Sequence, residues 1–233
     1  VKALGGRVIA SVQRPVAEVV ATCDGIDEVI PSGDPLPPFD LHLPLLSLPW
    51  VFRTSLETIP AQIPYLKVPA RVPNRQDLKA LLEGSRGRIR IGLAWVGNPA
   101  HQRDAERSML PETLAPLAAL PEVAWHSFHF GEREEAPFPG VTRLAPMLGS
   151  FSDTAFALAA MDLVITVDTA LAHLAGAMGV PTLLLLHAYP DWRWFLGRDD
   201  SPWYPTLRLY RQPTPGDWET VVRRVVSDLT AGS

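Results

Sequence analysis

A chain of 233 residues, 47% of them hydrophobic, has apolar surface enough for one large domain or two smaller ones. Its net charge of −4 mixes acids with bases and gives no reason to expect a nucleic-acid partner, while a single cysteine, Cys23, excludes an internal disulfide framework and a cysteine-rich metal site. No apolar run reaches the length of a membrane span and no signal-peptide pattern opens the chain, so no membrane insertion is expected and the expected setting is cytoplasmic.

The first residue is Val1, not an initiator Met, which points to a piece of a longer protein. Arg7 to Val12 predicts a short buried strand. Pro15 suits the first turn of a helix over Val16 to Ala21, with Cys23 beyond it as a small buried hydrophobe. Val29-Ile30 ends a second strand before the turn Ser32-Gly33-Asp34, and Asp40 to Leu46 is expected to add a third. Residues 1–65 thus make a small half, thin for an independent doubly wound domain. Residues 66–87 read as a linker, with a short helix near Asn74 to Leu82 and then Gly84-Ser85-Arg86-Gly87.

From residue 88 to 216 strand and helix alternate, which argues a parallel sheet with right-handed crossovers. Strands are predicted at Ile89–Trp95, Val123–Phe128, Val141–Leu144, Leu163–Val167, Thr182–Leu186 and Leu207–Tyr210. Pro111 opens a helix to Ala119, Ser152 is placed to cap a helix from Asp153 to Ala160, and Ala170 to Met178 forms a helix of small residues ended by Gly179. Residues 217–233 form a closing amphipathic helix.

The most informative stretch runs from Asp162 to Gly179. An apolar strand passes straight into Asp168-Thr169 and then a helix, which sets free backbone N–H groups and a positive helix end at the carboxyl edge of a sheet. Open α/β folds bind phosphate-bearing ligands at such an edge. Thr169 and the N–H groups of Ala170 and Leu171 are candidate phosphate donors. His173, four residues after Thr169, shares its helix face. The plainer alternative makes Asp168 or Thr169 an N-cap alone and His173 a satisfied second-layer residue.

The loop 97–108 leaves the strand at 89–95 and belongs to the same edge. His101, Arg103 and Arg107 can counter negative charge, and Asn98 and Ser108 can supply neutral hydrogen bonds. Asp104 and Glu106 partly cancel that charge, and a solvated loop with local ion pairs is the alternative. Residues 187–206 form an aromatic loop. Trp192 or Trp194 is placed to cover a sugar or base, or else the tryptophans pack the loop on the final helix; Arg193 and Arg198 are expected to pair with Asp191 and Asp199. No HExxH, EF-hand, P-loop or GxSxG pattern is present, so hydrolase and oxidoreductase readings have no handle.

These segments follow one another in a recognisable order. Trp95-Val96-Gly97-Asn98-Pro99 with His101 comes first, then Arg107-Ser108, then Phe151-Ser152-Asp153-Thr154-Ala155. Val167-Asp168-Thr169-Ala170 follows with His173-Leu174-Ala175-Gly176, then Pro190-Asp191-Trp192-Arg193-Trp194, Asp200-Ser201-Pro202-Trp203-Tyr204-Pro205 and Gly216-Asp217-Trp218. Earlier come Pro37-Pro38-Phe39-Asp40 and Leu45-Leu46-Ser47-Leu48-Pro49. The order resembles the glycosyltransferase-like domain at the end of bacterial tetratricopeptide-repeat proteins, which is similar to heptosyltransferases and, more distantly, to O-linked N-acetylglucosamine transferases.

The resemblance implies an α/β, GT-B-like fold of two Rossmann-like halves, the N-terminal half small and incomplete, with the active site in the cleft. It implies a nucleotide-diphosphate sugar as donor substrate, no cofactor and no metal, with transfer to a protein or glycan acceptor. The donor site would take in Asn98, His101, Arg107, Ser108, His129, Asp168, Thr169, Ala170, His173, Asp191 and Trp192. His173 and Asp191 are the candidates for acid–base work, and the closing helix would brace the two halves.

This chain departs from the family pattern in several places. The repeats, and a first strand with its Gly-rich, Asp-bearing loop, are not in this sequence, and in heptosyltransferase-like enzymes the base comes from that loop. Arg103-Asp104-Ala105-Glu106-Arg107-Ser108 stands where the family has Asn-Asp-Arg-x-Arg-Ser, and Phe128-His129-Phe130 where it often has Leu-Gln-Lys. Two further readings stay open: a catalytically inactive binding or scaffold module that keeps the fold, and an interaction domain that completes its N-terminal sheet by self-association or against another chain.

Overall fold

The computed structural model describes residues 1–129 and 136–231. The described residues build two parallel sheets. In the smaller, β1 (Ile9–Val12) pairs with β2 (Glu28–Pro31), and the two are joined by a 3₁₀ turn and the short helix α1 (Ala17–Val20). The strand expected over Asp40 to Leu46 does not form. Pro37, Pro38, Pro44 and Pro49 remove ladder donors and restrict the residues before them. The segment instead carries a 3₁₀ turn, Leu45–Ser47, and the single-turn helix α2 (Leu48–Val51). It leaves Leu41, Leu46 and Trp50 largely exposed. Cys23 is half-buried, not buried.

The helix α3 (Arg75–Glu83) leads to the larger sheet. Its strands are β3 (Ile89–Ala94), β4 (Val123–Ser127), β5 (Thr142–Arg143), β6 (Leu163–Val167), β7 (Thr182–Leu186) and β8 (Leu207–Arg211). Their spatial order is β5-β4-β3-β6-β7-β8, all parallel. The helices α4 (Asp104–Arg107), α5 (Phe151–Leu158), α6 (Ala170–Ala177) and α7 (Trp218–Ala231) lie between and after these strands.

Both faces of this sheet are covered, which is why its strands are near-continuous apolar runs. Side chains alternate between faces with period two. Val164 enters a core with Leu78, Leu82, Phe128 and the α5 residues Ala155 and Leu158. Its neighbours Ile165 and Val167 enter the opposite core with Leu93, Trp125 and the α7 residues Trp218, Val221 and Val225. The buried side of α7 thus meets the large sheet, whereas the motif resemblance implied a brace between halves. The small unit is held instead by α1 on α5: Val19 is buried in the first core, and the Ser152 hydroxyl donates to the Glu18 carboxylate at 2.6 Å.

Two local departures have clear causes. Pro111–Ala119 is a 3₁₀ helix throughout, because Pro116 inside it cannot donate an i→i−4 bond. The cap of α5 is Ser150, not Ser152: Ser150 has extended backbone and its hydroxyl accepts from the Asp153 N–H at 3.1 Å. No helix among the described residues is long and apolar enough to cross a membrane.

Candidate functional site

The strand order turns back between β3 and β6. From β3 the chain works outward to β5; from β6 it works outward the other way to β8. The two central strands are in register, Ala94 beside Thr166, so the loops that leave their carboxyl ends diverge and open a crevice. Ligands of open α/β sheets bind at this kind of switch point. Two adjoining clefts occupy it, of about 730 Å³ and about 600 Å³. They share Arg107, Thr169 and Ala170. Pro15 of the small unit lines the larger one, which places it between the two units.

The start of α6 forms the common floor. Thr169 is its N-cap, extended in backbone, and Oγ1 accepts from the Leu171 N–H at 3.3 Å. That bond takes one of the two N–H groups expected to face a ligand. Ala170 is exposed at the junction of the clefts, and the Thr169 hydroxyl keeps its own proton to donate.

Arg107 joins this floor to the loop from β3. Its Nε donates to Asp104 Oδ1 at 3.1 Å and its guanidinium donates to the Asp168 carbonyl at 2.9 Å. Gly97 makes room for the pair, because a Cβ there would lie 2.3 Å from the Asp104 carboxylate and 2.5 Å from the guanidinium. Ser108 secures the same loop, accepting the Gly97 N–H at 2.9 Å, and lines neither of the two clefts. Asn98 lines the larger cleft, its side-chain Oδ1 accepting from the Ala100 N–H at 2.9 Å. His101 lines the smaller one, with Nδ1 accepting from the Arg103 N–H at 3.2 Å. His129 is buried in the wall of the larger cleft, stacked on Trp95 with ring centroids 5.4 Å apart. Phe130, where the family pattern has a lysine, lies outside the described residues.

His173 and Asp191 both line the smaller cleft. The His173 ring stacks on Trp194 at 5.1 Å, and its Nδ1 lies 3.1 Å from the Tyr204 hydroxyl. Burial holds its pKa below the ordinary histidine value; Asp168 and Asp191 act against that shift and Arg193 with it. Asp191 is occupied: it caps the 3₁₀ turn Trp192–Trp194, and one oxygen accepts from both the Arg193 N–H at 3.0 Å and the guanidinium at 2.8 Å.

The tryptophans part ways. Trp192 is exposed under the Arg193 guanidinium and lines neither cleft. Trp194 is fully buried with Ala172, Leu184 and Leu207, so it covers no ligand and does not pack on the final helix either. Arg193 pairs with Asp191 as expected, but Arg198 pairs with Asp200 and not Asp199, through a fork of 2.6 and 2.7 Å.

Three comparisons bear on this geometry. Residues 133–194 match the model of glycosyltransferase family 9 (heptosyltransferase). Protein FlbA of Caulobacter vibrioides is 30% identical over 187 residues, which cover 76% of this chain and 30% of FlbA. The chain therefore spans under a third of that relative's length. The crystal structure of a family 9 glycosyl transferase from Veillonella parvula superposes with a TM-score of 0.60 at 15% identity, covering 97% of this chain and 89% of that one. The fold is GT-B-like. The stretch that carries the family 9 pattern runs from before β5 through β6, α6 and β7 to Trp194.

Asp168, Thr169, His173 and Asp191 lie inside that stretch, while Asn98, His101 and Arg107 reach the GT-B-like cleft from the loop before it. Two residues that sequence reasoning passed over also sit here. His187 directly follows β7, is nearly buried, and has Nδ1 3.7 Å from Glu106. Its place just past a strand at the carboxyl edge was the available signal. Tyr204 had no such local signal, for it meets His173 from 31 residues away.

Proposed function

We propose that this chain binds a nucleotide-diphosphate sugar across the two clefts and transfers the sugar to an acceptor without a metal. The observation that carries the reading is the convergence of Arg107, Thr169, Ala170 and His173 at the start of α6, on the crevice where the sheet order reverses. The diphosphate would lie over that helix start, where the dipole and the exposed Ala170 backbone favour negative charge. The larger cleft suits a base and ribose, since Phe128, Leu148, Phe151 and the stacked His129 supply apolar and aromatic walls. The sugar would then face His101, His173 and Asp191. As the bond from the sugar to the diphosphate breaks, charge grows on the departing phosphate, and preformed donors there stabilise it electrostatically. The motif resemblance to repeat-bearing proteins favours a polypeptide acceptor.

A second reading, binding without transfer, has one observation in its favour. Asp191 is held by Arg193, and no carboxylate lines the larger cleft among the described residues. Calorimetric titration with UDP, GDP, ADP and their common sugar conjugates, first without metal and then with magnesium, tests both. Saturable binding with release of free nucleotide from a conjugate supports transfer. Binding without release supports the second reading. No binding by the folded chain overturns the donor site.

A further inference from the structure

We propose that Tyr204 is a positioning residue: its hydroxyl donates to His173 Nδ1 and so fixes the neutral ring with its proton on Nε2, facing the smaller cleft. The geometry begins with the 3.1 Å contact between the Tyr204 oxygen and Nδ1. Either atom could donate across it, and chemistry decides which does. A phenol is a strong donor whose oxygen is a poor acceptor, because its lone pair is shared with the ring; an unprotonated imidazole nitrogen is a strong acceptor. O–H···N is therefore the better bond, and Nδ1 is the bare nitrogen. The other nitrogen must then carry the proton. No hydrogen bond reaches Nε2 among the described residues, and His173 lines the smaller cleft, so Nε2 is the nitrogen left to meet a ligand.

The ring cannot easily turn away from this arrangement. It is stacked on the buried Trp194 and meets Tyr204 edge-on, with centroids 5.9 Å apart. Tyr204 is itself held, because α6 approaches it so closely at Gly176 that a Cβ there would lie 2.5 Å from the phenol ring. Burial raises the pKa of Tyr204 and that of its neighbour Tyr65. Tyr65 stands on the strap from the small unit, anchored by its N–H to the Ala177 carbonyl at the end of α6. A one-way path results: Tyr204 O–H to Nδ1, and Nε2–H to the cleft. Burial raises the pKa of Tyr204 and lowers that of His173, which keeps both neutral and the direction intact at neutral pH. The tautomer stands on this geometry alone; its use, a hydrogen bond to a phosphate or sugar oxygen, rests on the donor reading above.

The test is the nitrogen NMR of the full chain labelled with ¹⁵N-histidine, with His173→Gln identifying the His173 signals. The expected result is an unprotonated, hydrogen-bonded Nδ1 and a protonated Nε2. In Tyr204→Phe, which keeps the ring and removes the hydroxyl, the Nδ1 signal should lose its hydrogen-bond shift and the tautomers should mix. A proton on His173 Nδ1 in the unmodified chain overturns the proposal even if Tyr204→Phe does not fold, and so does an unchanged tautomer in a folded Tyr204→Phe. Where a nucleotide binds, Tyr204→Phe should weaken it about tenfold, near the worth of one hydrogen bond. If no nucleotide binds the unmodified chain, the donor reading fails while the tautomer measurement still judges this one.

Discussion

Arg107 has a single guanidinium with two protein partners already, Asp104 and the Asp168 carbonyl, and it lies on both clefts. That makes it at once a ligand candidate and the tie between the β3 loop and α6. Arg107→Ala should therefore weaken nucleoside-diphosphate binding by roughly 1.5–3 kcal/mol, the scale of a charge-assisted hydrogen bond, and should also lower the melting temperature, since Asp104 loses its partner. Arg107→Lys should not restore both contacts, because an ammonium cannot fork. His173→Ala should weaken binding on the same scale with a smaller loss of stability, because only one hydrogen bond and one stacked face go with it. Gly97→Ala should mimic Arg107→Ala, because its methyl group needs the space that the Asp104–Arg107 pair fills. Calorimetry and thermal melts of the four variants separate the cases. Unchanged affinity in both alanine variants at Arg107 and His173 would remove the diphosphate from the start of α6.

At the scale of elements, what the sequence made legible was whatever short-range pattern dictates. Leu163–Val167 and Thr182–Leu186 come out with the predicted ends, because four apolar residues and one threonine between polar or proline residues leave a buried strand one solution. The alternation beyond residue 88 foretold the parallel sheet, and the loops after β3 and β6 could be placed on one edge because each directly follows its strand. The misses are of another kind. Asp40 to Leu46 alternates like a strand but has proline on both sides, and Trp194 sits in a loop by sequence yet in a core by packing. Tyr204 joins the site through a contact with His173, 31 residues away, which no local pattern encodes, whereas His187 was marked by its place just past β7. Gly176 shows the same limit: in a helix it reads as a mild defect, whereas the structure uses the missing side chain to seat Tyr204. Gly176→Ala should thus cost about 1–3 kcal/mol by overpacking, against the small gain that alanine normally brings to a helix. Urea unfolding of this variant measures it. A stabilised protein would mean that α6 and Tyr204 are not in such contact.

For the molecule as a whole, a sheet covered on both faces has a consequence for acid stability, carried by His126. It stands in β4, is 1% exposed, and has no hydrogen-bond partner at either ring nitrogen among the described residues. Burial, together with the charges of Arg90 and Arg88, lowers its pKa to about 4, against 6.5 for a free histidine. The unfolded chain therefore binds a proton, as pH falls below about 6.5, that the folded chain does not accept until about pH 4. Stability is unaffected by this group above the upper value and declines through the window below it. His173 and His187, both also lowered by burial, act with the same sign. Between about pH 7.5 and about pH 5 the His126 share of the loss should be about 2 kcal/mol. His126→Leu removes the titrating group and two unpaired nitrogens while keeping a similar volume. It should unfold at higher urea at neutral pH, by about 1 kcal/mol of stability, and should lose distinctly less on acidification. Urea titrations of both proteins at the two pH values decide the matter: parallel profiles would mean that His126 is solvated or paired in the folded state, and that the acid limb belongs to other groups.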